Sequence, residues 1–437
     1  MDADVEQPKR DSRAEWNLQQ WLFFLEHQHH QEIQLGLERI RSVATKLKLE
    51  QVPCPVILVA GTNGKGSTVA ALESLYTAAG YRIGVYTSPH LIAFNERIRY
   101  QGTPITDEDL CAAFTLIDTA RGETRLTYFE MVTLAALWYF AHLSPDIMVL
   151  EVGMGGRLDA TNIIDADVAI ITTIDLDHQE YLGTTREAIG REKAGILRPG
   201  KTLIYADTHP PQSILEQAHQ LEVKTYFNGD SYTTLDAKSH WDLFFAGQWY
   251  TQLPKPKINL QATAAAVIAS IILEKKLPIQ ASVWPHFMQN VFIPGRLQLE
   301  EGEINVLYDV AHNAQSVALL AKTIVRLPVK GKIHAVFSGL KDKDIAALIE
   351  PMRNLIDHWY LAELQGKRAA PRELLLNYFH NAEIYPNSCY NTPLIAFEAA
   401  FNQAQPGDLI VVYGSFYTVG QIMAVKSHRR TYENPNG

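Results

Sequence analysis

The chain is poor in several features that would have placed it in other classes. Its 437 residues hold three cysteines, Cys54, Cys111 and Cys389, with no C-x-x-C spacing. That excludes a disulfide framework and a cysteine zinc site, and it suits a reducing compartment. Positive charge is not gathered anywhere. There are 39 Lys and Arg against 48 Asp and Glu, for a formal net charge of −9. The lack of a long basic cluster argues against a large nucleic-acid surface. Long apolar runs are missing too. The longest, Met131 to Val152, is broken by His142, Ser144, Pro145 and Asp146. It reads as a buried helix, a turn and a buried strand, not as a membrane span. The polar, mixed-charge stretch from Met1 to Arg13 is unlike a signal peptide. No internal repeat or low-complexity tract is evident, and cytoplasmic is the expectation.

What is present is a globular composition, with 47% hydrophobic residues in a chain long enough for two domains. Trp16 to Leu49 carries apolar residues at helical spacing. Beyond it, short apolar runs alternate with helical segments. Candidate strands are 56–60, 83–87, 147–152, 168–173 and 202–206. Continuous apolar strands between helices argue for a parallel sheet buried on both faces. From Asn228 to Leu260 the pattern changes to short alternating runs around Trp241, Leu243-Phe244-Phe245 and Trp249-Tyr250, a small antiparallel unit. Ala262 to Leu277 reads as an Ala-rich helix. Pro294-Gly295 reads as a linker. A second alternation follows, with strands at 304–309, 333–338, 358–362 and 409–413.

Ala60-Gly61-Thr62-Asn63-Gly64-Lys65-Gly66-Ser67-Thr68 lies between the first candidate strand and a segment that reads as a helix. Strand, glycine-rich loop, helix is the context of a phosphate cradle, where backbone N–H groups and a helix N-terminus converge on an anion. Lys65 can reach the outer phosphates, and the hydroxyl of Ser67 or Thr68 can bind Mg²⁺. Gly66 departs from the common G-x-x-x-x-G-K-[ST] pattern by separating the lysine from the hydroxyl.

Ligands bind beyond the carboxyl ends of strands in open α/β sheets. Ser88-Pro89-His90 follows the second candidate strand, Glu151 ends the third, and Asp175-Leu176-Asp177-His178 follows the fourth. Asp309 ends a strand of the second domain and leads to Ala311-His312-Asn313. A carboxylate such as Glu151 at the end of an apolar strand is costly unless paired or metal-bound. The glycines after it do not form G-x-G-x-x-G, which argues against a dinucleotide fold. Taken alone, Lys193 reads as a solvated helix lysine, Tyr128-Phe129 as core, and the His27, His29, His30 group as surface.

Several segments together resemble the folylpolyglutamate synthase / dihydrofolate synthase family of the Mur ligase group. They are 61–67, Thr87-Ser88-Pro89-His90, the run 151–162, Asp177-His178, Arg191-Glu192-Lys193-Ala194-Gly195, Pro294-Gly295-Arg296, 309–313 and 414–419. The likeness spans about Trp16 to Val425. Segments 35–39 and 126–130 resemble the bacterial bifunctional members.

The resemblance implies an α/β architecture. An N-terminal P-loop ATP-binding domain with a parallel-dominated sheet occupies 1–293, and a smaller Rossmann-like α/β domain occupies 294–437. It implies ATP contacts at Gly61, Thr62, Asn63, Gly64, Lys65, Gly66, Ser67, Thr68, Arg296, Asp309 and His312. It implies Mg²⁺, two ions, at Ser67, Ser88, Glu151, His178 and a Lys193 carbamylated by CO₂, which overturns the solvated reading of that lysine. Lys65, His178 and Lys193 are then the catalytic residues. A pterin pocket is implied at Glu32, Leu35, Tyr128, Phe129, Leu158, Asp159 and Ala160. The implied substrates are dihydropteroate, tetrahydrofolates, L-glutamate and ATP, handled by a monomer without nucleic acid or membrane. Three other readings stand beside this one: folylpolyglutamate synthase activity alone, another Mur-group ligase such as one for a peptidoglycan precursor, and a non-catalytic nucleotide-binding module. One departure is Ala262, which stands where the family often has an asparagine that contacts ATP. The nearest is Asn259, so either a neighbour takes that contact or the helix start is shifted.

Overall fold

The structure is a computed structural model and describes residues 10–28 and 34–433. It divides into two compact units, Met1–Ser88 with Asn95–Phe292, and Ile293–Gly437 with Pro89–Phe94.

The first unit is built on eight strands: β1 (Val56–Ala60), β2 (Ile83–Tyr86), β3 (Ile98–Tyr100), β4 (Thr103–Pro104), β5 (Ile147–Glu151), β6 (Val168–Ile171), β7 (Thr202–Tyr205) and β8 (Lys224–Phe227). Their order is β4-β3-β2-β5-β1-β6-β7-β8. The run from β2 to β8 is parallel, and β3 and β4 add an antiparallel edge. Every residue of β1 and of β5 is buried. Helix Lys65–Ala78 covers one face and shares its core with helix Leu260–Ile272, through residues such as Val69, Leu72, Leu75, Ala265 and Ile268. Each large aliphatic side chain buried this way contributes roughly 1.5–3 kcal/mol.

A three-stranded antiparallel sheet follows, with β9 (Tyr232–Asp236), β10 (His240–Phe245) and β11 (Gln248–Pro254) in the order β11-β10-β9. Trp241, Leu243 and Phe245 of β10 point inward and Asp242 and Phe244 alternate with them, the period-two pattern of a half-covered sheet.

The second unit has six strands: β12 (Gln298–Glu300), β13 (Asn305–Tyr308), β14 (Ile333–Phe337), β15 (His358–Ala362), β16 (Ser388–Tyr390) and β17 (Leu409–Tyr413). Their order is β12-β13-β17-β14-β15-β16, with β12 alone antiparallel. The α/β class and the parallel-dominated sheet agree with the sequence reading. The strands that reading missed, β3, β4, β8, β12 and β16, are short elements at or next to a sheet edge whose residues, Ile98 apart, are exposed or half-buried, so they carry little apolar pattern.

The strand order decides where chemistry gathers in the first unit. The neighbours β2, β5, β1 and β6 run parallel, so their carboxyl ends form one row. In that row Val59 pairs with Glu151, and Ala60 pairs with Ile171.

Candidate active site

The glycine-rich loop leaves β1 and enters helix Lys65–Ala78 through Gly64, whose φ of 87° is a left-handed conformation that favours glycine. The first N–H groups of that helix have no partners within it, which leaves them for an anion. Lys65 folds back over the loop, donating from Nζ to the Gly61 and Thr62 carbonyls at 3.0 and 3.2 Å. The two hydroxyls that follow behave differently. Thr68 is buried and donates to the Gly64 carbonyl at 3.0 Å, so it serves the helix. Ser67 is half-exposed, which leaves its hydroxyl as the metal candidate of the two.

Glu151 closes β5 beside this loop. It is 3% exposed. Its Oε2 accepts from the Thr87 hydroxyl, and from the Ser88 backbone N–H at 3.2 Å. Among the described residues it has no ion-pair partner, and Oε1 accepts no hydrogen bond. The Arg99 guanidinium acts on it only from beyond ion-pair distance, so a buried carboxylate with one oxygen unengaged fits a cation. Ser67, Ser88 and Glu151 are hard oxygen donors. That set suits Mg²⁺, which uses few protein ligands and shares itself with substrate phosphates. No group of three or more His, Cys, Asp or Glu gathers at metal spacing among the described residues.

His178 follows β6 and opens the short helix Gln179–Leu182 with φ 49°, a left-handed conformation that costs a non-glycine residue on the order of 1–3 kcal/mol. Asp177 braces it, accepting the His178 backbone N–H at 2.9 Å, with its other oxygen 3.9 Å from Nε2. Lys193 sits in helix Arg186–Ala194 and is 3% exposed. Burial, then the neighbouring Lys65 charge, push its ammonium down to about 7, against the pull of Asp177 and Asp159. The bland reading of a solvated lysine fails because a loop covers this helix. Arg157 donates its backbone N–H to the Glu192 carbonyl at 2.7 Å, and Asn162 reaches the Gly195 carbonyl at 3.0 Å. The approach is so close that a Cβ at Gly195 would lie 2.5 Å from the Arg157 Cα.

The same loop joins the predicted pterin residues. Gly36 donates to the Leu158 carbonyl at 3.3 Å, bringing the segment of Leu35 to it. Phe129 lies against Gly153, and its ring centroid is 5.7 Å from that of Tyr86. Tyr128 has the Arg97 guanidinium 5.6 Å from its ring centroid. The helix Tyr128–Leu143 is started by a Thr127–Glu130 capping box, and Glu130 also pairs with Arg39 at 3.2 Å. Ala160 is buried, and so is Asp159, whose carboxylate accepts from the Met154 and Thr161 backbone N–H groups and the Thr161 hydroxyl. Burial raises its carboxyl, against these hydrogen bonds. Glu32 lies outside the described residues, as do His29 and His30.

In the second unit the candidates gather at the carboxyl ends of β13 and β17, which are neighbours. Asp309 accepts the Leu297 and Ala311 backbone N–H groups, both at 2.7 Å. Burial raises its carboxyl, while Arg296 and those N–H groups pull it down. Phe416 stands next to two of the predicted residues. Arg296 lies 5.2 Å from its ring centroid and the His312 ring lies 5.8 Å away. Asn259 proves to be the N-cap of helix Leu260–Ile272. Its side-chain oxygen accepts from the Gln261 and Ala262 N–H groups, so the helix begins at Leu260, before Ala262.

Sequence reasoning quoted Thr87 in a motif but gave it no role, and it did not single out Arg97 or the Thr172-Thr173 pair that bonds the glycine-rich loop. Thr87 and Thr172-Thr173 left one signal, hydroxyls at the carboxyl end of an apolar strand. A cavity of about 870 Å³ lies at the opposite, amino-terminal edge of the sheet, lined by Val56, Asp165, Asp167, Lys201 and Lys276 among others. Asp167 there is already matched by both lysines, at 3.0 and 3.1 Å. It holds none of the predicted site residues. No helix among the described residues is long and apolar enough to cross a membrane.

Comparison with known proteins gives the family of the chain. Residues 59–248 match the Mur ligase middle domain, and 295–416 match the Mur ligase glutamate ligase domain. The dihydrofolate synthase/folylpolyglutamate synthase of Escherichia coli is 40% identical over 424 residues, covering 97% of this chain and 99% of that protein. The Escherichia coli FolC structure in complex with DHPP and ADP superposes with a TM-score of 0.91 at 38% identity, covering 97% of this chain and all of that one. A bifunctional folylpolyglutamate synthase/dihydrofolate synthase with Mn, AMPPNP and L-glutamate bound gives a TM-score of 0.88 at 38% identity, over 95% of this chain and 99% of that one. The chain therefore belongs to the dihydrofolate synthase/folylpolyglutamate synthase family of Mur ligases.

Proposed function

We propose that this protein is an ATP-dependent ligase that adds L-glutamate to dihydropteroate, giving dihydrofolate, and to the γ-carboxyl of tetrahydrofolates. A carboxylate is a poor electrophile and must be activated first. A carboxylate oxygen attacks the γ-phosphorus of ATP, forming an acyl phosphate as ADP leaves. The glutamate amine attacks the acyl carbon, phosphate leaves, and the amine proton is lost. The observation that carries this reading is the row of phosphate loop, Glu151 and His178 at neighbouring strand ends, in a chain of this family.

The chain's own residues do mostly electrostatic and positioning work. The loop N–H groups and Lys65 take the charge of the β- and γ-phosphates. Ser67, Ser88 and Glu151 would hold one Mg²⁺, and His178 with Lys193 a second; when bound, these ions neutralise the anions that must meet. Lys193 is suited to carbamylation. Its amine, held near neutrality, adds to CO₂ and loses a proton, which turns a cation into an anionic ligand. Tyr128, Phe129 and the 158–160 segment would hold the pterin, and Glu32 and Leu35 belong to the same proposal. Arg296, Asp309 and His312 would contact ATP. Asp309 has both oxygens engaged by N–H groups, so it also holds the Arg296 loop in shape. The same proposal has the protein act as a monomer in the cytoplasm.

The test is ADP release measured with dihydropteroate and with tetrahydrofolate, each with and without glutamate. Release that needs both the folate and glutamate supports the proposal. Release indifferent to either, or supported instead by a UDP-linked peptidoglycan precursor, would refute it.

A further inference from the structure

The phosphate loop is sewn to the end of β6 by side chains that the functional reading leaves unassigned. Thr172 is 4% exposed, and its hydroxyl donates to the Asn63 carbonyl at 2.6 Å. Thr173 Oγ1 accepts the Asn63 N–H at 3.2 Å and also lies 3.2 Å from the Asn63 carbonyl as a second, longer donor to it, and the Thr62 N–H donates to the Thr173 carbonyl at 2.7 Å. A little further along, Thr62 Oγ1 donates to the Asp175 carbonyl at 3.0 Å and accepts the Asp175 N–H at 3.1 Å.

The bond to the Asn63 carbonyl has a geometric consequence. The C=O of Asn63 and the N–H of Gly64 belong to one planar trans peptide and point in opposite directions. Fixing the carbonyl toward the buried Thr172 therefore fixes the Gly64 N–H the other way. That N–H donates to no described residue, and it stands at the start of helix Lys65–Ala78, where a phosphate would be received. Gly61 makes the arrangement sterically possible, since a Cβ there would lie 1.7 Å from Thr172 Oγ1.

We infer that Thr172 is a positioning residue for nucleotide, holding the phosphate loop in its anion-receiving form before ATP arrives; the inference rests on the nucleotide reading above. A loop fixed in advance has no ordering cost left for the ligand to meet. Without the hydroxyl, the Asn63 carbonyl loses its shortest tie and keeps the longer one from Thr173 Oγ1 at 3.2 Å, so the 63–64 peptide is held less firmly and the Gly64 N–H is presented less precisely.

The experiment compares wild type, Thr172→Val, which has the same shape without the hydroxyl, and Thr172→Ser, which restores it. ADP affinity is measured by calorimetry, and KM for ATP and for dihydropteroate by turnover. The expected result for Thr172→Val is an ADP affinity and an ATP KM at least tenfold worse, with the dihydropteroate KM within twofold of wild type. Thr172→Ser is expected within threefold of wild type throughout. Should the valine variant lose its circular-dichroism spectrum, Thr172→Ala carries the same comparison. A hydroxyl-free variant that binds ADP normally, or a serine variant as impaired as it, overturns the positioning role. A wild-type chain that binds no ADP overturns the nucleotide reading and this inference together.

Discussion

The Ser88 backbone N–H donates to Glu151 Oε2 at 3.2 Å, tying the turn after β2 to the end of β5. One carboxylate oxygen thus holds the two strand ends together and the other is left for a cation. Glu151→Gln keeps an acceptor for Ser88 but removes the charge. The expected outcome is a folded protein whose kcat/KM falls by ~100-fold or more, the scale on which lost electrostatic stabilisation is felt. Steady-state kinetics across a Mg²⁺ series, beside circular dichroism, check it. Activity within tenfold of wild type would reduce Glu151 to a structural tie.

Lys193 gives a prediction with opposite signs for stability and activity. Its ammonium is pushed down to about 7 by burial and by Lys65, so the fold disfavours the charged form. Below about pH 7 both folded and unfolded chains carry the proton, and the folded one bears the full penalty. Between about 7 and the ordinary lysine value the unfolded chain binds more protons, so stability rises with pH through that window. Lys193→Met is expected to remove the penalty, raising stability near neutral pH by an amount on the order of a few kcal/mol, and to abolish ligation. Denaturant unfolding at pH 7 and pH 9.5 in bicarbonate-free buffer checks the stability half. A wild-type stability that does not rise between those values would contradict it. The ligation half is checked by turnover, and near-full activity of the methionine variant in that buffer removes the carbamate role.

The parts of this site that were legible in the sequence are those whose signal is local. The phosphate loop was visible because strand, glycines, lysine and helix are adjacent in the chain. Glu151 was visible because a charge ends an apolar run. The burial of Lys193 was not, because its helical spacing says nothing about the 153–162 loop that covers it; family resemblance supplied its role. Thr172 was silent because its partner, Asn63, is 109 residues away. The grouping of Pro89–Phe94 with the second unit is equally invisible to local pattern, since it depends on Leu91 packing with Val310 and Val419. The short strands at and near the sheet edges were missed for a different reason: at two to four residues, mostly exposed or half-buried, they are too short to show an apolar period.

Phe416 was quoted in a motif and given no role. Its ring lies 5.2 Å from the Arg296 guanidinium, a cation–π contact worth about 0.5–2 kcal/mol according to how dry it is. If Arg296 contacts ATP, its orientation depends on that ring. Phe416→Ala should raise the ATP KM by ~3–10-fold with little change in the folate KM, and Phe416→Tyr should restore it. Initial rates at varied ATP decide this, and equal effects on both KM values would point to general damage instead.

Gly66 and Gly61 should respond oppositely to alanine. At Gly61 a Cβ would meet Thr172 Oγ1 at 1.7 Å, and its φ of 152° lies where L side chains are strained. Gly61→Ala should therefore destabilise the fold. At Gly66 a Cβ meets nothing within 4 Å, and the residue lies inside helix Lys65–Ala78. Alanine is the better helix former by about 1 kcal/mol, so Gly66→Ala should leave the melting temperature unchanged or higher. No described residue crowds that position. The open space lies at the helix N-terminus, where the phosphates of ATP would approach closely, and a methyl group would hold them off. An ATP KM raised ~tenfold in a protein of undiminished thermal stability is the expected outcome. Thermal melts and ATP kinetics on the two variants check it, and a Gly66→Ala protein with wild-type ATP kinetics would mean that the extra glycine does not shape the phosphate site.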